Sequence, residues 1–326
     1  MRHYIIFGSH NDFLQASYKD ISEVDGAVYQ AEFLPGAPKV LKKIHTAHCL
    51  TPFAQKNKLP LRKLWYKRYF SEAYKEHDEY VFIFFYSWYP IFQNGYIEYL
   101  RKKYPGCKCV LFLCDINCAR KLNIEDEKKR FDHVMVFERI FAKENNIEYY
   151  PLVYSDYRKD VNPSDKDIDL LFVGWAKGRY KFLKGIYDYL TAHGVNCQFY
   201  LTKLDEEVPP ESGIHTRNWV PYPEYIELLK RAKCLLDIVP QDTDCHTLRV
   251  NEAISYKCKI LTNNVGIVKE QFFDPTNVST YREPTDIDFN FLLGDYINPD
   301  YNGFIKNLGP KAFIQHIDEV LFKKGE

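Results

Sequence analysis

Neither sign of charge is in excess: the 326 residues include 44 Lys plus Arg and 44 Asp plus Glu, a formal net charge of zero. That balance removes any global attraction to nucleic acid, so no nucleic-acid partner is expected and an anion site has to be built locally. Long hydrophobic runs are also missing. The longest, VFIFFYSWYPIF at 81–92, is far shorter than a membrane span of roughly 20 residues and reads as a buried strand with its following loop. No cleavable leader is expected, because MRHYIIFGSHNDF passes from one basic pair straight into a strand pattern. The nine cysteines are odd in number, and Cys109, Cys114 and Cys234 lie within apolar segments. Reduced thiols in a cytoplasm fit this better than a disulfide framework. Cys107, Cys109, Cys114 and Cys118 cross a strand, which points alternate side chains to opposite faces, so no metal is expected there.

What is present is enough apolar material, 46% of residues, to fill two cores. Apolar runs alternate with longer amphipathic segments, the pattern of crossover units on a parallel sheet. Strands are expected at 3–7, 80–85, 109–114, 133–137 and near 148–150, with a helix at 93–104. The polar, proline-containing segment SDYRKDVNPSDKD at 155–167 reads as a linker. The rhythm then restarts, with strands at 169–173, 197–201, 234–239 and 258–262 and helices at 180–192, 224–232 and 247–256. A last helix at 310–322 carries Ala312, Phe313, Ile317, Val320 and Leu321 along one face. The expected division is a domain of 1–160, a second of 161–305 and a C-terminal helix, 306–326, packing on both. Tandem open parallel sheets bind ligands at the carboxyl ends of their strands.

Two strand-to-helix junctions of the second half concentrate polar residues. In LLFVGWAKGRY, Gly174 follows a buried strand, and Lys177, Gly178 and Arg179 occupy the turn before a helix. A glycine lets backbone approach an anion, the helix start offers N–H groups, and two cations suit a diphosphate; an ordinary glycine turn with solvated cations is the plain alternative. The G-x-x-x-G spacing is neither a dinucleotide fingerprint nor a Walker loop. In DTDCHTLRVNEAISYKCKILTNN, Thr247 stands at a helix start where it can cap or meet a phosphate. Arg249, in the first turn, opposes the helix dipole unless an anion lies nearby. Glu252 follows, where a carboxylate can accept from both ribose hydroxyls. The plain readings are a capping turn with a solvated arginine and a glutamate that favours the dipole. Trp219, in RNWVPYPEY, either floors a nucleobase whose edge Val220 reads or fills a proline-rich turn.

These segments, DLLFVGWAKGRY, WVPYPEYIELLKRAKCLLDIV and TLRVNEAISYKCKILTNN, together resemble the carboxyl-terminal domain of sugar-nucleotide-dependent glycosyltransferases of the GT-B architecture, most closely those of bacterial lipopolysaccharide and capsular polysaccharide synthesis. FLCDINCA and FDHVMVFERIFAKENNIEYYPLVYSD resemble the same family's first domain, so the resemblance covers roughly 105–265. It implies an α/β fold of two Rossmann-like parallel-sheet domains facing across a cleft, and a transferase that moves a hexose from a nucleotide-diphosphate donor to a surface-polysaccharide, lipopolysaccharide or lipid-linked acceptor. It implies no cofactor beyond that donor substrate, and a cytoplasmic enzyme, peripheral at the inner face of the membrane. Lys177 and Arg179 would approach the diphosphate, Thr247 and Arg249 would lie beside it, and Glu252 would hold the ribose. Retaining members have two glutamates separated by seven residues. Asp244 and Glu252 occupy that spacing, which would turn Asp244 toward the donor sugar, although Cys245, His246 and Thr247 replace the usual glycines.

An inverting reaction also needs a base near the acceptor hydroxyl. Candidates are Asp115, just past the third expected strand, His10 and Asp12 after the first, and His133 at a strand start. The plain reading of Asp115 is a cap before CARK. Residues 56–69 contain Lys56, Lys58, Arg62, Lys63, Lys67 and Arg68 and no acid, with Leu61, Trp65 and Tyr69 at four-residue spacing. A helix from about 61 would put that stripe against an anionic membrane or a lipid-linked acceptor, or against the core with the cations left in water; a nucleic-acid face has no second basic patch or recognised module to support it. Two further readings remain: Asp242 and Asp244 as a D-x-D pair in a metal-dependent transferase, and a sugar-nucleotide or glycan-binding protein without turnover. A phosphorylase or epimerase of the same fold would differ in its use of free phosphate or its product isomer.

Overall fold

The computed structural model describes residues 1–57, 59–73, 75–176, 178–204, 208–239, 245–298 and 304–323. The chain divides into two compact units, Met1–Pro151 with Pro310–Glu326, and Leu152–Gly309. Each is built on a six-stranded sheet in which every pairing is parallel.

The first unit comprises β1 (Arg2–Phe7), β2 (Ala27–Gln30), β3 (Glu79–Phe85), β4 (Lys108–Leu113), β5 (His133–Val136) and β6 (Glu148–Tyr149), in the order β2-β1-β3-β4-β5-β6. The middle strands β1, β3 and β4 are buried on both faces, which is why HYIIF, YVFIFF and CVLFLC read as continuous apolar runs rather than alternating ones. Phe7 sits in this core with ring centroids 4.4 Å from Trp88 and 4.8 Å from Phe84. The expected helix at 93–104 is shorter, Ile97–Lys103. A π-helical turn, Phe92–Tyr96, precedes it, and Gly95 there takes φ +92°, which suits a residue without a β-carbon.

The second unit comprises β7 (Ile168–Trp175), β8 (Cys197–Thr202), β9 (His215–Thr216), β10 (Ala232–Asp237), β11 (Lys259–Thr262) and β12 (Val278–Thr280), in the order β12-β11-β10-β7-β8-β9. Helix Tyr180–Ala192 buries Tyr180, Leu183, Ile186 and Leu190 at helical spacing, and helix Tyr222–Arg231 buries Tyr225, Leu228 and Leu229. The short edge strands β2, β9 and β12 carry too few residues for an alternation to show, and the sequence reading did not find them.

The compact units divide at other positions than the expected 160/161 and 305/306. Residues 152–157, assigned above to the first domain, belong to the second unit because their backbone is tied there: Asn251 Nδ2 donates to Leu152 O at 2.8 Å, Tyr154 N to Leu308 O at 3.0 Å and Ser255 Oγ to Ser155 O at 3.0 Å. Tyr157 also stacks on Tyr256. A polar composition marked this segment as a linker, but its carbonyls satisfy the polar side chains of a buried helix. The terminal helix, Pro310–Phe322, is part of the first unit rather than a separate element. Phe313 packs on Phe112 and Tyr150, each with centroids 5.2 Å apart, and Arg2 binds Asp318.

His133 lies at the amino-terminal end of β5, paired with Glu148, whose other oxygen is 2.9 Å from His316 Nε2. Burial works to raise the Glu148 carboxyl, but its contacts with both histidines outweigh that and hold it at about 2. A carboxyl depressed in the folded state adds stability above its ordinary range, and that stability is lost as pH falls from about 4.5 toward 2. Glu148→Gln is therefore expected to lower the melting temperature at pH 6 and to narrow the difference from wild type as pH approaches 2. A constant difference across that window would show that the histidine contacts do not matter to stability.

Candidate functional site

The second sheet presents the carboxyl ends of β7, β10 and β11 beside the amino-terminus of helix Leu248–Ser255. Thr247 caps this helix, its hydroxyl accepting from Arg249 N at 3.2 Å and donating to Asp237 Oδ1 at 2.7 Å. Asp237, 1% exposed, takes a second hydroxyl, Thr262 Oγ1, at 2.9 Å. One carboxylate thus joins the ends of β10 and β11 to the helix start. Sequence reading passed over Asp237, although a lone acid closing the apolar strand AKCLLD is a signal that such a group is hydrogen-bonded in place.

Arg249 Nη2 donates to Val173 O at 2.7 Å, and its guanidinium lies 5.1 Å from the Phe172 ring centroid. A β-carbon on Gly174 would stand 2.5 Å from that Nη2 atom, so glycine here makes room for the arginine rather than for a turn. Arg179 precedes helix Tyr180–Ala192, and its guanidinium donates to Ile238 O at 3.2 Å and Trp175 O at 3.3 Å. Burial first, and the charge of Arg249 second, push the Arg179 pKa below its ordinary value. Neither arginine makes an ion pair with a carboxylate among the described residues. Two half-buried cations stand near one another, their guanidinium groups bonded to backbone carbonyls only, with the buried carboxylates Asp237 and Glu252 close enough to act on Arg179 and Arg249 without pairing with them.

Gly174→Ala is expected to fold normally, because the crowding atom is the tip of a flexible side chain, and to weaken anion binding by displacing the Arg249 guanidinium. A large fall in melting temperature with unchanged affinity would reverse that reading.

Glu252 is 3% exposed, and both carboxylate oxygens are occupied: Oε1 accepts from Tyr222 at 2.8 Å and Oε2 from Tyr225 at 2.7 Å. Tyr154 lies 2.7 Å from the Tyr222 hydroxyl, which already donates to Glu252 and so accepts here. Burial raises the Glu252 pKa, opposed by the two tyrosines and Arg249. Burial and then the Glu252 charge raise both tyrosines, keeping them as donors. Sequence reading found the acid but missed the tyrosines, which come from the neighbouring helix YPEYIELLKR.

Asn263 accepts from Val239 N at 2.8 Å and donates to Val239 O at 3.1 Å, while Asn264 Nδ2 donates to Cys245 O at 3.3 Å. The pair of asparagines after β11 thereby anchors the chain on either side of 240–244. Lys177, Asp242 and Asp244 lie outside the described residues. Trp219 is 63% exposed, and Trp175, at the end of β7, is 41% exposed with Lys203 Nζ 3.3 Å from its ring centroid.

In the first unit, Asp115 is exposed and caps helix Ile116–Ala119, accepting from Asn117 N at 2.8 Å and Cys118 N at 3.3 Å, which is its plain sequence reading. His10 and Asp12 are exposed just past β1, where Tyr29 both donates to and accepts from the Ser9 backbone at 2.9 Å. His133 stands at the opposite, amino-terminal edge of the sheet and is engaged by Glu148, so it is not gathered with Asp115 and His10. No group of three or more His, Cys, Asp or Glu side chains arranged to hold a metal occurs among the described residues. No helix among them is long and apolar enough to cross a membrane.

No protein-family model matches the chain, and no curated protein matches it. Solved structures do. Anabaena Alr3699/HepE, in complex with UDP and glucose, is 12% identical, with a TM-score of 0.54 over 98% of this chain and 99% of that one. Sucrose-phosphate synthase from Thermosynechococcus elongatus is 11% identical, with a TM-score of 0.52 over 99% of each chain. An alpha-glucosyltransferase in complex with UDP and a 13-mer DNA is 9% identical, with a TM-score of 0.50 over 98% of this chain and 90% of that one. At such identities the likeness concerns the fold: two Rossmann-like parallel-sheet units of the GT-B type.

Proposed function

We propose that the protein is a glycosyltransferase that moves a sugar from a nucleoside-diphosphate donor to an acceptor hydroxyl. The observation that carries this reading is the arginine pair: Arg179 and Arg249, at the carboxyl edge of a parallel sheet and the start of two helices, repel one another and make no ion pair with a carboxylate among the described residues. A diphosphate supplies the missing negative charge, and its charge grows as the anomeric bond breaks, so the same cations stabilise the leaving group. Lys177 and the Thr247 end of its helix add to that clamp. Exposed Trp219 stacks on the base, and Asp244 faces the donor sugar.

In the reaction the acceptor oxygen forms a bond to the anomeric carbon, the bond from that carbon to the phosphate oxygen breaks, and the nucleoside diphosphate leaves. Asp115 or His10 takes the acceptor proton. The acceptor is a surface polysaccharide, a lipopolysaccharide or a lipid-linked saccharide at the cytoplasmic membrane face. The likeness in fold to Anabaena Alr3699/HepE, whose structure holds UDP and glucose, supports the donor class.

A thermal-shift panel of nucleoside diphosphates and their sugars tests this. One diphosphate should raise the melting temperature well above the monophosphate of the same base, and its sugar should be hydrolysed or transferred. Equal shifts with monophosphate and diphosphate would remove the clamp. Activity retained in chelator would set aside a metal at Asp242 and Asp244.

A further inference from the structure

From Phe33 to Ser71 the chain has nine Lys and Arg and no Asp or Glu, in a protein whose 44 basic and 44 acidic residues cancel overall. This stretch folds as short helical pieces, Lys39–His45, Thr46–Leu50, Pro52–Asn57, Arg62–Trp65 and Tyr66–Tyr69, stitched together by polar side chains. His48 Nε2 donates to Pro60 O at 2.8 Å and its Nδ1 accepts from Trp65 Nε1 at 2.8 Å; Arg62 donates to Ala54 O. The expected stripe of Leu61, Trp65 and Tyr69 is therefore split: Trp65 and Tyr69 are core residues, and Leu61 is not.

The cations and several large apolar side chains are left outside. Phe53, Leu61 and Leu64 are 68%, 69% and 65% exposed, among exposed Lys56, Lys63 and Lys67 that make no ion pair among the described residues. The bond from Arg62 to Ala54 ties this segment to helix Pro52–Asn57, which carries Phe53, and Leu59, Leu61 and Leu64 line a cavity of about 350 Å³ with Lys63. Leu61 takes φ +64°, unfavourable for a residue with a β-carbon, and the result is a leucine projecting into water. Val40 and Ile44 extend the same composition one helix away.

We propose that this segment is a docking surface for an anionic lipid bilayer, with Phe53, Leu61 and Leu64 entering the interface and Lys56, Lys63 and Lys67 meeting the headgroup phosphates. The charge pattern alone would also suit nucleic acid. The exposed aliphatic and aromatic side chains decide for the bilayer, since phosphate backbone offers them nothing, whereas a headgroup and acyl boundary takes both kinds of group. The surface lies in the first unit and does not depend on the donor reading, so either can fail without the other.

Flotation of the full chain with vesicles tests it. Binding should be weak to phosphatidylcholine alone, strong when roughly a third of the lipid is phosphatidylglycerol, and reduced by salt. Each cation removed should lower partitioning about fivefold, so K56E, K63E and K67E together should lower it more than about a hundredfold. Leu61→Asn relieves a left-handed backbone and is expected to leave the melting temperature no lower, while F53S, L61N and L64S together should cut partitioning at least about tenfold. The proposal is overturned by equal binding to neutral and anionic vesicles. Partitioning that ignores the apolar triple variant, or duplex DNA bound tightly with the same indifference to that variant, overturns it as well.

Discussion

Arg249→Ala should lower the affinity for the preferred nucleoside diphosphate by about a hundredfold and leave the melting temperature of the free protein close to wild type. The binding loss corresponds to one or two charge-assisted hydrogen bonds, about 1.5–3 kcal/mol each at the upper end of what such bonds contribute. The small stability effect follows from opposing contributions: Arg249 is half-buried, bonds a single carbonyl, Val173 O, and attracts Glu252, but it repels Arg179. Removing one of two neighbouring cations relieves that repulsion and offsets the lost hydrogen bond. Arg179→Ala should show the same pattern, and the double variant should lose less than the sum, because the two act on one diphosphate. Calorimetry of the purified variants reads both numbers. An affinity that does not change while the fold persists would remove the arginines from the donor site and with them the basis for the proposed transfer.

The second large effect concerns Glu252, where ligand binding and folding are entangled. Glu252→Ala should destabilise the second unit by about 2–4 kcal/mol, since it strips two buried tyrosine hydroxyls of their acceptor and opens a cavity. Weakened nucleotide binding by that variant would therefore say little about ribose. A cleaner comparison keeps the protein unchanged and alters the ligand: wild type should bind the ribonucleoside diphosphate at least about tenfold more tightly than its 2′,3′-dideoxy analogue if the carboxylate holds the sugar. Such contact requires Tyr222 or Tyr225 to release an oxygen. Tyr222→Phe should then strengthen ribose binding modestly while lowering stability. If the dideoxy analogue binds equally well, Glu252 anchors tyrosines and nothing more.

Much of the scaffold was legible because it rests on local patterns. The runs HYIIF, YVFIFF, CVLFLC, DLLFV and CLLDIV could be buried on both faces only in parallel sheets, and their alternation with amphipathic helices set the order of elements. Gly174, Arg179, Thr247, Arg249 and Glu252 were legible as residues at strand-to-helix junctions, where ligands of such sheets bind. The roles within that set were not. Gly174 was read as a backbone approach to phosphate, but its missing β-carbon accommodates Arg249. Thr247 reads as a cap or a phosphate contact, and it does cap the helix, but its hydroxyl is also held by Asp237, an acid that strand periodicity hides among leucines.

What the sequence by itself determined is the type of fold and the polar junctions of the second half, since burial periodicity and helix-start chemistry act over a few neighbouring residues. Tertiary structure decided the rest. The division into compact units at Pro151 and the return of helix Pro310–Phe322 to the first unit depend on partners about a hundred or more residues away, such as Asn251 with Leu152 and Arg2 with Asp318. The tyrosine pair on Glu252 and the splitting of the 61–69 stripe into core and surface likewise come from side chains meeting across elements, and a linear pattern carries no record of which ones meet.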